Sequence, residues 1–141
     1  MSEHFSIHEF LFSATALANN IDNVPPFDLY NNINATMAGL ERIRAYLGQP
    51  MQILSGYRND AVNKLVGGVS DSQHLTGNAC DFVCPEYGTP KAICEILERY
   101  IQVIGIDQLI FEQTWVHVSF TSNPRHQVLT ASNGLYGAGI I

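Results

Sequence analysis

The stretch Ser72-Gln-His-Leu-Thr-Gly-Asn-Ala-Cys-Asp81 decides how this chain folds. His74 and Asp81 are seven residues apart, a spacing that would put both on one face of a helix. Thr76-Gly77-Asn78 breaks any such helix, and Ala79-Cys-Asp-Phe-Val83 suits a strand. A loop carrying His74 and a strand carrying Asp81 must therefore converge. Downstream, Trp115-Val-His-Val-Ser-Phe120 reads as a second strand in which Val116, Val118 and Phe120 alternate with Trp115, His117 and Ser119. His117 is thus expected on the face opposite the apolar one. Upstream, Met51-Gln-Ile-Leu54 is a short strand that delivers Ser55-Gly-Tyr-Arg58 to its exit.

Each of these residues has an ordinary explanation when taken alone. His74 is a loop histidine, Asp81 a turn or capping carboxylate, and His117 a surface position on a strand. Together they supply two neutral imidazoles and a carboxylate, the donor set of a zinc site that keeps one position open for water. The competing cluster Cys80-x-x-x-Cys84 brackets Asp81, but on a strand those two cysteines share a face that Asp81 does not.

With these residues in view, the ordered set Ser55-Gly-Tyr-Arg58, Ser72-x-His74-x-x-Gly77-x-Ala79-x-Asp81 and Trp115-x-His117-x-Ser119 resembles the zinc D-alanyl-D-alanine carboxypeptidases. That family includes phage L-alanyl-D-glutamate endopeptidases, vancomycin-resistance dipeptidases and, more distantly, the Hedgehog signalling domain; the similarity runs from about Phe5 to Phe120. The resemblance implies Zn2+ held by His74, Asp81 and His117. It implies that Arg58 holds the scissile carbonyl oxygen or a substrate carboxylate, a role suited to a planar guanidinium. Ser72, Gln73 and Trp115 are the implied substrate contacts, with ordinary core packing as the alternative for Trp115, and Ser119 would orient a neighbour by hydrogen bonding.

Relatives place an acid or a histidine shortly before the second histidine ligand, often three residues before. Here that position is Thr114, which has no usable pKa. Glu112 is the nearest carboxylate and the favoured general base, with Asp71 or water alone as alternatives. In an unbroken strand Glu112 would share the face of Val116 and Val118, so a bulge or turn near Gln113 is required to bring it to the metal.

Outward from the site, Ser6 and Glu9 form a capping box with Phe5 and Phe10 as its staple, starting a short helix that runs to about Ser13. His4 and His8, four apart, read as surface histidines flanking that cap. Asn19-Asn20-Ile-Asp-Asn-Val-Pro25-Pro26 is a loop. Ile33, Met37, Leu40, Ile43 and Leu47 recur at helical spacing until Gly48 and Pro50, which predicts a long scaffold helix from Leu29. Asn59 caps a short helix through Leu65. Thr89 and Pro90 open another, expected to run through Ile104. Asp107-Gln-Leu-Ile-Phe111 pairs with the His117 strand in a hairpin across Gln113-Thr114, and Gln127-Val-Leu-Thr130 adds an edge strand. Ala131 to Ile141 is expected to be a loose tail. The fold class is α+β: a small, mainly antiparallel sheet bearing the metal, with helices packed on one side.

At 141 residues, 46% hydrophobic and 14% charged, the chain suits a single domain, residues 1–141, and a monomer. A net charge of −6 argues against nucleic acid, whose binding depends on lysine and arginine neutralising phosphates. No apolar run reaches membrane-spanning length and no leader is evident, so cytoplasmic synthesis is expected. Action would follow release to the wall, or association with a virion. Three cysteines, Cys80, Cys84 and Cys94, are too few and too odd for a disulfide framework. By resemblance the substrates are peptidoglycan peptides. Two other classes stay open, a non-catalytic zinc-binding module that has lost its base and a virion structural or assembly protein that keeps the fold.

Overall fold

The structure is a computed structural model that describes residues 2–141. It is α+β, with a six-stranded sheet in the order β1-β2-β4-β3-β5-β6. The strands are β1 (Gln52–Ser55), β2 (Ala79–Val83), β3 (Gln108–Phe111), β4 (Val116–Ser119), β5 (Gln127–Ser132) and β6 (Leu135–Ala138). Every pairing is antiparallel except β3 with β5.

Six helices accompany the sheet: α1 (Ile7–Leu11), α2 (Ala14–Ala18), α3 (Tyr30–Leu47), α4 (Asp60–Leu65), α5 (Pro90–Arg99) and α6 (Ile101–Ile104). The capping box of Ser6 and Glu9 is formed at α1, and Asn59 and Thr89 cap α4 and α5 through their side chains. Helix α3 turns Ile33, Met37, Leu40, Ile43 and Leu47 inward, as their spacing requires, and ends at Gly48 in the left-handed conformation. Those residues join Ile93 and Leu97 of α5 and Cys80, Phe82, Val116 and Val118 of the sheet in one buried cluster. All three cysteines are free and buried there, and none belongs to the group of His74, Asp81 and His117 that could hold a metal. None of the helices of the described residues is long and apolar enough to cross a membrane.

Four local expectations need correction. Ser13 does not end the first helix region; its hydroxyl accepts from the Ala16 backbone N–H and starts α2. The helix from Pro90 breaks at Tyr100, whose backbone leaves helical geometry (φ −112°, ψ 19°) where its ring packs on Tyr46. His74 lies in a short 3₁₀ turn, Gln73–Thr76, and not in open loop. The expected tail is instead half of a hairpin. Asn133 and Gly134 both adopt positive φ, which suits a tight turn between β5 and β6, so β5 is internal and β6 is the edge.

Candidate metal centre

Three elements bring the motif residues together. In the register of β2 and β4, Asp81 lies directly opposite His117, so the two side chains stand on the same face as neighbours. The 3₁₀ turn then places His74 over them. That turn is capped by Ser72, whose hydroxyl accepts the His74 backbone N–H, and it ends at Gly77 in the left-handed conformation (φ +77°). A Cβ at Gly77 would come within 2.6 Å of Ile33, so both backbone and space demand glycine there. From α3, Thr36 donates to the Gly77 carbonyl (2.8 Å) and Asn32 to the Thr76 carbonyl (3.1 Å). The scaffold helix therefore grips the ligand turn at its end.

His74 is held from the other side as well. Its Nδ1 lies 2.6 Å from the Gly56 carbonyl, which fixes Nδ1 as the protonated nitrogen and leaves Nε2 with its lone pair. Gly56 is itself pressed against α1: a Cβ there would fall 2.3 Å from the Phe10 carbonyl oxygen. That same carbonyl accepts the Tyr57 N–H, and the Arg58 N–H donates to the His74 carbonyl.

His74 Nε2 is buried with no hydrogen-bond partner among the described residues. It lies 3.4 Å from Asp81 Oδ1, which is 3.0 Å from His117 Nδ1. Four donors about 2 Å from a tetrahedral zinc stand roughly 3.3 Å apart, so these separations suit a shared ion. All three donor atoms lie within 4.8 Å of one another. Burial lowers the His74 pKa and keeps the imidazole neutral. For Asp81, burial alone would raise the pKa, but the two histidines beside it, His74 and His117, outweigh burial and hold the carboxyl below the usual range. Neutral imidazoles and an ionised carboxylate are the forms a divalent cation takes up. His74, Asp81 and His117 together can therefore hold a metal.

The cluster forms the floor of a cleft of about 590 Å³ whose walls include Arg58, Glu112, Trp115 and Tyr136. Arg58 Nε is buried with no hydrogen-bond partner among the described residues; burial lowers the Arg58 pKa, while Asp81 and Glu112 pull it back up. Glu112 is on the cleft side, brought there by a turn at Gln113, one of the two irregularities, bulge or turn, that its position in the sequence requires. The Glu112 N–H donates to the Trp115 carbonyl, so these two residues pair across the hairpin, followed by Phe111 with Val116 and Ile110 with His117. A tight turn at Gln113 (φ +68°), closed by the Thr114 N–H on the Glu112 carbonyl, reverses the parity between the strands. Even-numbered residues of β3 consequently share a face with odd-numbered residues of β4. Burial raises the Glu112 pKa and Asp81 adds to the effect, while His117 and Arg58 oppose it.

Ser72 and Gln73 also line the cleft, the first as the cap of the ligand turn and the second with its amide bound to Asp107. Asp71, the alternative base, lines the same cleft. Trp115 forms part of its wall, and Trp115 Nε1 is buried without a hydrogen-bond partner among the described residues. The sequence reading missed Asp107, Arg125 and Tyr136. Arg125 and Tyr136 lie in the wall, and buried Asp107 binds Arg125 with both carboxylate oxygens. A signal for the ion pair existed: Asp107 is a lone acid between Ile106 and Leu109, and Arg125 is the single lysine or arginine after Arg99.

A comparison with individual curated proteins returns no match. The family model described as Peptidase M15 matches residues 3–119, most of the chain and all three donors of the cluster. On that match the chain belongs to the M15 peptidases, a family of zinc-dependent metallopeptidases.

Proposed function

We propose that this protein hydrolyses a peptide bond beside a D-residue in bacterial peptidoglycan peptides, as a D-alanyl-D-alanine carboxypeptidase or a related endopeptidase. In this reading residues 1–141 act as one domain and as a monomer, after release to the wall or from a virion of phage origin. The observation that carries it is the meeting of the His74, Asp81 and His117 donors with the carboxyl of Glu112 and with Arg58, whose buried Nε has no partner among the described residues, in one cleft.

His74 Nε2, His117 Nδ1 and one Asp81 oxygen would hold Zn2+. Bound there, zinc supplies Lewis-acid polarisation of a carbonyl and lowers the pKa of water toward about 7. Glu112 acts as the general base, accepting a proton from the attacking water and delivering it to the leaving amine nitrogen. A carboxyl raised by burial is matched to that exchange nearer neutrality than an exposed one. Arg58 binds the scissile carbonyl oxygen as its charge develops, or a terminal carboxylate of the peptide. Ser72, Gln73 and Trp115 shape the cleft around the peptide. The low count of lysine and arginine speaks against a nucleic-acid substrate.

Incubation with purified peptidoglycan and defined muropeptides, followed by mass spectrometry, tests the reading and identifies the bond. Chelator-sensitive release of D-alanine or of a cleaved stem peptide is the expected result. Stoichiometric zinc binding without turnover of any muropeptide would favour a non-catalytic zinc module.

A further inference from the structure

We propose that Asp107 is a positioning residue that braces the two histidine-bearing segments against each other through Gln73 and Ser119. The proposal rests on the reading of His74, Asp81 and His117 as metal ligands.

Asp107 is 2% exposed at the entrance to β3. Oδ1 accepts from the Arg125 backbone N–H (2.8 Å) and from Arg125 Nε (3.0 Å). Oδ2 accepts from Arg125 Nη2 (2.8 Å), Gln73 Nε2 (3.0 Å) and Ser119 Oγ (3.1 Å). Its backbone continues the brace, since the Asp107 N–H donates to the Ser119 carbonyl and its own carbonyl accepts the Gln127 N–H. None of these partners is a candidate ligand, yet two of them adjoin one. Gln73 precedes His74 in the 3₁₀ turn, and Ser119 stands two residues beyond His117 on the same face of β4.

A charge pair with Arg125 would by itself secure only the segment leading into β5. What marks a wider role is Oδ2, where donors from the ligand turn and from the ligand strand meet on one buried oxygen. The turn and β4 are separate elements of the chain, so the distance between His74 and His117 depends on how the turn is seated. A carboxylate bound to both sides at once fixes that seating, and loss of the outer partners that orient metal ligands typically weakens metal binding by about ten- to a hundredfold. Asn at this position keeps the shape but replaces one acceptor oxygen with a donor, which cannot serve these partners.

The test measures zinc affinity by competition with a chromophoric chelator, together with the absorption spectrum of the cobalt-substituted protein. Asp107→Asn is compared with Leu97→Ala, a core truncation in α5 remote from the cleft, at a temperature where circular dichroism shows both folded. Asp107→Asn is expected to bind zinc about ten- to a hundredfold more weakly and to shift the cobalt spectrum, while Leu97→Ala keeps wild-type values despite its lower stability. Wild-type affinity and spectrum in Asp107→Asn overturn the proposal. Should that variant not fold, Gln73→Ala and Ser119→Ala each remove one arm of the brace. Weaker zinc binding in either supports the role, and undiminished binding in both overturns it. If the unmodified protein itself takes up no zinc, the metal reading fails and this proposal with it; normal uptake combined with an unaffected Asp107→Asn removes the positioning role alone.

Discussion

On one face of strands β2 and β4, Cys80, Phe82, Val116 and Val118 pack beneath the helices; on the other stand Asp81 and His117, which line the cleft, and Ser119, which is buried against Asp107. All seven are buried, so exposure does not separate the two faces. What separates them is how each buried group is satisfied. The helix face needs volume, which several apolar residues can supply. The cleft face needs partners for particular atoms: Asp107 for Ser119, and for the donor atoms of His74, Asp81 and His117 a shared cation. Substitutions on the first face should therefore change stability and spare the chemistry, whereas those on the second should do the reverse.

The hardest test of that contrast is His117→Ala, which should abolish stoichiometric zinc and turnover while the far-UV circular dichroism stays native. Metal analysis showing undiminished zinc would break the contrast at its centre. Next in size, Glu112→Gln should retain zinc and folding and lose about a hundred- to ten-thousandfold in kcat. Near-normal turnover would move the base to Asp71. From the opposite face, Phe82→Ala should lose about 3–5 kcal/mol in denaturant unfolding. Its zinc stoichiometry, measured where it remains folded, should equal that of the wild type. Arg58→Ala should keep zinc and lower kcat/KM by roughly a hundredfold or more. Loss of metal in that variant would make the arginine structural.

The smallest effect concerns acid. At Asp107 burial would raise the pKa, but the hydrogen bonds of Arg125 and Gln73 outweigh it and hold the carboxyl below the usual range. A depressed folded-state pKa stabilises the fold fully above the unfolded value of about 4, and that stabilisation is lost as pH falls through the folded value. Urea midpoints for the wild type should accordingly drop more steeply below about pH 4 than those of Asp107→Asn. Parallel profiles would show that the carboxylate is not coupled to folding.

The helix face was the easier one to read in advance. Periodicity of 3.6 in Ile33 to Leu47 and of 2 in Val116 to Phe120 reports directly on which side chains face the apolar core, and Ser6, Asn59 and Thr89 cap where their chemistry says they should. The meeting of His74, Asp81 and His117 was legible only through the ordered motif, because no local rule says which loop meets which strand. Glu112 reaches the cleft through the turn near Gln113 that its position requires, because a two-residue connection at Gln113-Thr114 reverses the parity of alternation between the strands. Strand β6 was missed because Leu135-Tyr-Gly-Ala138 carries two small residues and an exposed edge, and its pairing with β5 depends on a turn at Asn133-Gly134 that went unread. Asp107 and Arg125 stayed hidden because an ion pair between residues 18 apart leaves no periodic trace.

The seating of Gly56 between Phe10 and His74 bears on the order in which the molecule is built. The carbonyl that orients His74 is in place only when α1 lies against the exit of β1, and 36 residues separate Asp81 from His117. Zinc fingers take up their metal early because their ligands are close in sequence, and the ion drives the chain to fold. Here the donors are non-local, and the entropy of closing those loops must be overcome before any ion meets all three. Docking of the N-terminal helix and pairing of β2 with β4 should therefore come first. A cation taken up there would act as a latch on a finished structure, adding stability by mass action that grows with the free metal the surroundings supply.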